Sequence, residues 1–391
     1  MFNKTNKLYI YLIFFVSLLS YVDASLLPKI KSNCLWIKAE SVLDSSSIDS
    51  IISFSYNNNI NKLFFQVRSR GDALYASKIV PKYEKLDSLF DPLQYVIEKT
   101  ENTKIEIHAW FNTYILWSSR EKPKDNNHFY YNCEDCFQVD LNGKSDKSIE
   151  LDQFHSSNWE GIFLSPLHPD VNLHLLTVLD ELIFNYDLDG IHLDYLRYQD
   201  DFYGYNKYGL IEFEKLYSVN PIDLKRGIIS KRFGYEQSYV DSIKYEWDTF
   251  KMNKITEFIR SIKYLIMKDS LDLELSVAVK PDILESKYRW YQDWPSWIEE
   301  DLINYCVVMN YYHDFNKFNS INKIISTIIK DKNKINLGIS VFNQPASLIA
   351  NKILFSRLEG YKQFSLFSYD IYQDTTDWYG PIYETINFYI K

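Results

Sequence analysis

The sequence predicts an α/β protein, a TIM-type (β/α)8 barrel with long loops at its C-terminal face, and three observations carry that prediction. Eight short apolar runs recur along the 391 residues. The stretches between them repeat apolar residues at three and four, the period of a helix lying on a sheet. No Gly-rich turn follows the first run, as a doubly wound nucleotide-binding sheet would require, and a closed barrel takes all eight strands into one unit.

The runs fall in order. CLWIKA (34–39) precedes the helical SSIDSIISFSYNNN, and KLFFQVR (62–68) precedes FDPLQYVIEKTEN. IEIHAWF (105–111) opens a long connection over 112–160. GIFLSPLHPD (161–170) reads as a short β-like segment ending in a Pro-punctuated turn before a helix at about 171–185. GIHLDYL (190–196) leads into a Tyr-rich insert over 195–246, with a small helical portion and then a long helix. LELSVAV (273–279), YCVVMNYY (305–312), INLGISVF (335–342) and FSLFSYD (364–370) complete the set. The reading is one barrel domain over 30–391. The two long connections are placed to build a site at the barrel's top.

Residues 1–24 read as a signal peptide. Lys4 and Lys7 precede an apolar run from Leu8 to Leu19, and Val22-Asp23-Ala24 offers a small-residue cleavage site. The run is short of the ~20 residues that span a bilayer. The expectation is a secreted or periplasmic protein, with association with the cell envelope as one form of it, whose mature chain does not insert stably in a membrane. A net charge of -9 with interspersed signs leaves no basic patch, which excludes nucleic acid as a partner. The 9 Trp, 32 Tyr and 25 Phe exceed what a core needs, so some rings should line a cleft. Oligomeric state is not legible. Four cysteines cannot form a disulfide framework. Cys34 and Cys306 lie in apolar runs and should be buried, while Cys133 and Cys136 fit a local disulfide first, a redox pair next and half of a metal site last.

Strand parity selects the chemistry-bearing residues, because every second side chain points to the barrel axis. In DLDGIHLDYLRY, Gly190, His192 and Asp194 share a parity, and Asp194 stands at the C-terminal end. Asp194 is the first catalytic candidate, and Asp189, at the strand's entry, is structural. On the third strand Glu106, His108, Trp110 and Asn112 share a parity. Glu106 and His108 lie deeper and suit a core network, whereas Trp110 and Asn112 suit a sugar-stacking ring and a hydroxyl-binding amide. Gln66 and Arg68 end the second strand, with Arg70 and Asp72 after them. Glycosidic cleavage needs a second carboxyl group. Asp282 is closest to a strand end, with Asp293, Glu285 and Asp370 behind it. Lys280, Trp294, Trp297, Asn310, Tyr311 and Tyr312 add polar and aromatic material. GxSxG, HExxH, GxGxxG and P-loop motifs are absent and no cofactor is expected. A metal held by His108, His192 and Asp194 would imply a deacetylase or amidohydrolase. A barrel that only grips sugar is the other alternative.

Taken together and in order, QVRSRGDALYAS, FDPL, IHAWFN, FLSP, YDLDGIHLDYLRY, LSVAV and QDWPSW resemble the glycosyl hydrolase-like 10 family, secreted bacterial barrel proteins of the YngK type. The resemblance covers about residues 34 to 370. It implies a barrel acting on glycans, with some members cleaving peptidoglycan strands that lack stem peptides. It places the family's presumed catalytic aspartate on Asp194 and its polar surroundings on Arg68, Asp72, His108, Asn112, His192 and Arg197. The seventh strand lacks a terminal carboxylate, so Asp194 resembles a strand-four nucleophile with its acid at Asp282 or Glu285. The combined expectation is a secreted glycosidase on a polysaccharide, with Asp194 and Asp282 as its carboxylate pair. Arg68, Asp72, His108, Trp110, Asn112, His192, Arg197, Asp293 and Tyr311 are the expected substrate contacts.

Overall fold

The computed structural model describes residues 28–151, 160–268, 271–342, 344–370 and 379–387. The leader expected over residues 1–24 lies outside them. Ten strands are described: β1 (Ser32–Ile37), β2 (Lys62–Arg68), β3 (Glu106–Asn112), β4 (Ile115–Trp117), β5 (Ile162–Phe163), β6 (Gly190–Asp194), β7 (Glu274–Val279), β8 (Tyr305–Met309), β9 (Ile335–Ser340) and β10 (Gln363–Phe367). Eight of them close a parallel barrel in the order β1-β10-β9-β8-β7-β6-β3-β2. The remaining two, β4 and β5, form an antiparallel pair outside the barrel. These eight strands are the eight apolar runs, with boundaries shifted by at most three residues and Lys62–Arg68 unshifted.

Helices start where the sequence supplies a cap. Asp44 accepts from Ser47 N to open Ser45–Asn57, and Asp91 accepts from Gln94 N to open Pro92–Thr100, with proline in the first turn. His168 caps Pro169–Asn185 in the same way, through Asp170 N. The insert after β6 contributes Lys207–Tyr217, Pro221–Lys225 and the long helix Gln237–Lys268. No helix among the described residues is long and apolar enough to cross a membrane.

The two parities of the barrel strands face different worlds. Leu35, Ile37, Leu63, Phe65, Ile191 and Leu193 point outward and belong to the continuous apolar layer under the helices. The inward parity forms a separate cluster of Cys34, Trp36, Phe64, Trp110, Tyr305 and Val307 with Phe367. Polar residues interleave with it. At the lower end Lys62 pairs with Glu106 at 3.0 Å and with Glu274, and His108 Nε2 stands 3.4 Å from Glu106. Higher up, His192 stacks on Phe64 with centroids 3.9 Å apart.

Register builds this column: Trp36 pairs with Phe64, Phe64 with His108, and His108 with Gly190. A Cβ at Gly190 would fall 2.3 Å from His108 Nδ1, so only glycine leaves room for that imidazole. Cys133 and Cys136 are joined by a disulfide, and Cys34 and Cys306 are free and buried.

Candidate active site

A cleft of about 670 Å³ opens at the C-terminal end of the barrel, lined by residues that include Trp36, Trp110, Asn112, Glu160, Asp194, Tyr195, Arg197, Lys280, Glu285, Trp290, Tyr311 and Phe367. Its position follows from topology, because the loops that leave parallel strands gather at that face. The β3–β6 register sets Asn112 beside Asp194 at the rim.

Asp194 ends β6 and is 9% exposed. Trp110 Nε1 donates to its Oδ2 at 3.2 Å, and Tyr195 N donates to Oδ1 at 2.7 Å. Tyr195 takes a left-handed backbone, φ 51°, which turns its N–H back onto that carboxyl group. Burial pushes the Asp194 carboxyl above its ordinary range, and the Tyr195 amide, Arg197 and the Trp110 indole offset this only in part. The group therefore holds its proton to higher pH than a solvated aspartate.

Glu160 is the contrasting acid. It precedes β5, and the β4–β5 pair carries it back over the cleft. Gly161, φ 154°, makes that approach feasible, since a Cβ there would meet Trp117 O at 2.6 Å. Burial raises the Glu160 carboxyl, but Arg197 and Lys280 outweigh it and the net direction is down. Arg197 forms a direct ion pair with it, and Lys280 Nζ stands 4.0 Å away. Burial lowers Lys280 to about 8, and its ammonium also sits 4.8 Å from the centroid of the Trp290 ring.

Of the residues expected to form the site, Asp194, Trp110, Asn112, Arg197 and Tyr311 line the cleft, and six do not. Asp282 is spent as a helix cap, accepting from Leu284 N and Glu285 N to open Ile283–Arg289. Asp293 pairs with Lys287 at 2.8 Å. Arg68 is fully buried and donates to the carbonyls of Asn112, Thr113 and Ile115, pinning the β3–β4 turn. Asp72 accepts from Arg70 N, and burial raises it to about 6.

His108 lies at the lower end of the barrel. His192 lies under the cleft floor, where Trp36 Nε1 donates to its Nε2 at 3.1 Å and its Nδ1 meets Ser276 Oγ at 2.9 Å. With both ring nitrogens engaged, His192 has no free donor for a metal shared with Asp194 and His108. The four-residue group Cys133, Asp135, Cys136 and His168 and the group Glu106, His108 and Glu274 are the ligand-like clusters among the described residues, and neither contains Asp194. The second of them already holds the Lys62 ammonium.

Two aromatic expectations change as well. Trp294 and Trp297 are fully buried core residues, with Trp297 Nε1 donating to Thr256 Oγ1 at 3.0 Å. Among the tyrosines of 195–217, Tyr195 lines the cleft, while Tyr198 is fully buried. The rings that do line it include Trp36, Trp290 and Phe367, which strand-end reasoning did not single out. Asp370 instead holds Lys38 at 2.9 Å, beside the cleft.

The family model for glycosyl hydrolase-like 10 matches residues 31–343. The chain belongs to that family. Among curated relatives, the glycosyl hydrolase DigH of Escherichia coli (strain K12) is 26% identical over 168 residues, 38% of this chain and 35% of that protein. The glycosyl hydrolase YngK of Bacillus subtilis (strain 168) is 27% identical over 154 residues, 37% of this chain and 26% of that protein. The matches thus span about a third or less of the curated relatives' length. Among solved structures, the PgaB (BpsB) glycoside hydrolase domain from Bordetella bronchiseptica superposes with a TM-score of 0.69 at 10% identity, covering 92% of this chain and 99% of that one. That likeness establishes the barrel fold.

Proposed function

We propose that this chain is a glycosidase that cleaves a polysaccharide in the top-face cleft, with Asp194 as proton donor and Glu160 as its ionised partner. One observation carries the reading: of the four carboxyl groups that line the cleft, Glu285 is paired with Arg289 and Glu40 accepts from Tyr83, while the surroundings of Asp194 and Glu160 push their proton affinities in opposite directions. Such divergence is what divides acid from base in a carboxylate pair. Glu160 replaces Asp282 as the second carboxylate and the roles are exchanged: Asp194, expected as nucleophile with Asp282 or Glu285 as acid, is raised and fits the donor, and the lowered Glu160 fits the ionised partner.

The chemistry follows from the neighbours. A departing sugar oxygen needs a proton, and a neutral Asp194 supplies it. Trp110 Nε1 and Tyr195 N then stabilise the carboxylate left behind, since both already donate to it. Glu160, kept charged by Arg197 and Lys280, faces the positive charge that grows on the ring carbon and can take a proton from water. Asn112 Nδ2 donates to Ser69 O at 3.0 Å, and its buried Oδ1 has no partner among the described residues. Lys38, Arg70, Arg197 and Lys280 share the cleft with Glu40, Glu160, Asp194 and Glu285, so its charge is mixed. Peptidoglycan strands lacking stem peptides, the substrate that the family resemblance implies, are the first to try. The leader-like residues 1–24 support action outside the cytoplasm.

The test is a polysaccharide panel including peptide-free peptidoglycan, with products read by mass for wild type, Asp194→Asn and Glu160→Gln. Cleavage by wild type that collapses in both variants is the expected result. Binding without any product would instead favour the non-catalytic barrel. Undiminished cleavage by Asp194→Asn would remove Asp194 from the mechanism.

A further inference from the structure

A second cavity, of about 390 Å³, lies outside the catalytic cleft and is lined by Asp201, Lys225, Asp241, Lys244, Tyr245, Asp248, Tyr288 and Tyr291. One wall is a single face of the long helix Gln237–Lys268, because positions 241, 244, 245 and 248 are spaced by three and four. The opposite wall comes from the segment after β7. That segment serves both cavities: Lys280, Glu285 and Trp290 line the catalytic cleft, and Tyr288 and Tyr291 line the second one.

Part of the lining is unspent, although Asp248 pairs with Lys251 at 3.3 Å and Asp241 accepts from Gln237 Nε2 at 2.9 Å. Tyr245 is 59% exposed and Tyr288 46%, so both rings are open to a ligand. Tyr291 differs: it is buried, and its hydroxyl receives the Lys251 ammonium, which fixes it as the floor. Among the described residues, Lys225, Lys244 and Asp201 have no ion-pair partner within 4.0 Å, though they face the same space. Three aspartates against two lysines disfavour a strongly charged ligand of either sign. Donors, acceptors and flat apolar rings in one groove match a hydroxyl-rich ring compound, which stacks its C–H face on tyrosine and bonds through its edge.

We infer that this cavity is a second glycan-binding subsite that holds a stretch of polysaccharide beyond the part bound in the cleft. The inference rests on the glycosidase reading for its choice of ligand. A strand crossing the shared segment would occupy both cavities, so the subsite should act on long chains and little on short ones.

The experiment measures binding in the Asp194→Asn background, where turnover plays no part. The probes are peptide-free peptidoglycan strands, the other polysaccharides of the panel, and a tetrasaccharide cut from each. Tyr245→Ala and Tyr288→Ala should each weaken polymer binding about threefold to tenfold, with a smaller loss for the tetrasaccharide. Tyr264→Ala, an exposed tyrosine further along the same helix and outside the cavity, should bind as the parent does. Thermal melts confirm that each variant is folded. If polymer binds and the double variant matches Tyr264→Ala, the subsite is overturned and the glycosidase reading stands. If no polymer is retained by the parent, both fall together.

Discussion

The two ends of the barrel interior both carry inward-facing acids, and they treat them in opposite ways. At the lower end, the His108 imidazole holds Glu106 down to about 2 against the effect of burial, with Lys62 behind it. Lys62 also reaches Glu274, so one buried ammonium ties together two carboxylates from separate strands. At the upper end, Asp194 has an indole and a backbone N–H as its direct partners, and its carboxyl is pushed up. The lesson is that depth in the barrel does not decide reactivity. Along this inward column, the acid supplied with a cation on the neighbouring strand is structural, and the one left short of positive charge keeps a proton to give.

The strongest way to break this comparison is Asp194→Asn. It should lower hydrolysis by about 10²- to 10⁴-fold, the usual contribution of a positioned acid, while Glu106→Gln should leave turnover per folded molecule unchanged. Steady-state rates on the panel's best substrate check both. If the two variants lose activity equally, the division between the ends is wrong.

Stability should separate the ends next. Lys62→Met leaves Glu106 and Glu274 facing each other without their ammonium and should cost about 1–3 kcal/mol. The glutamates' partial exposure places the loss below that of a fully buried pair. Denaturant melts measure it. Asp194→Asn should raise stability at neutral pH, because it removes a buried group that is poorly compensated when charged.

The pH dependences should have opposite signs. Glu106 has a lowered proton affinity in the folded state, so its contribution is complete above the unfolded value of ~4.3 and fades as pH falls toward about 2. Asp194 is raised, so the folded chain binds the extra proton, and stability falls as pH climbs from ~3.9 through the raised value. Activity should decline on that same alkaline limb as the donor ionises. Melts and rates measured across pH in wild type and Asp194→Asn would show both slopes, and the second should vanish in the variant.

The smallest effect is expected at Trp36→Phe. It removes the hydrogen bond to His192 Nε2 while keeping an aromatic floor, at a cost of about 0.5–1.5 kcal/mol. A change in KM without loss of kcat would mark Trp36 as a cleft surface rather than part of the chemistry.

The barrel was legible because its strands are bounded apolar runs and parity is a local property. The helix Ala346–Leu358 was harder to read, since Ala346, Ile349, Ala350, Lys352, Ile353 and Leu354 are all buried and no polar face sets its period. In the site, parity sets Asp194, Trp110 and Asn112 on the inward face, where they line the cleft, and position along the strand already puts Glu106 and His108 deeper. His108 and His192 are expected as contacts through the family resemblance, and both lie below the floor.

Asp282 shows a second limit: a carboxylate after a strand is also where a helix cap belongs. The pattern Asp282-Ile-Leu-Glu285 carries the spacing of a capping box and could have signalled it. Trp294 and Trp297, three apart after Asp293 with Pro295 between, have the spacing of the buried face of a short helix. Glu160 was out of reach of strand-end reasoning. It belongs to no barrel strand, and only the β4–β5 pairing brings it over the cleft.

The inward column has one more consequence. In most barrels both faces of a strand are apolar, and a strand displaced by one residue would still bury oil against oil. Here the same displacement would turn Lys62, Glu106, His108 and Asp194 out against the helices and draw Leu63, Ile107 and Leu193 inside. Misaligned closures would strand charge in a greasy layer with no water to receive it. The polar filling thus makes a one-residue slip of these strands costly and favours the native alignment.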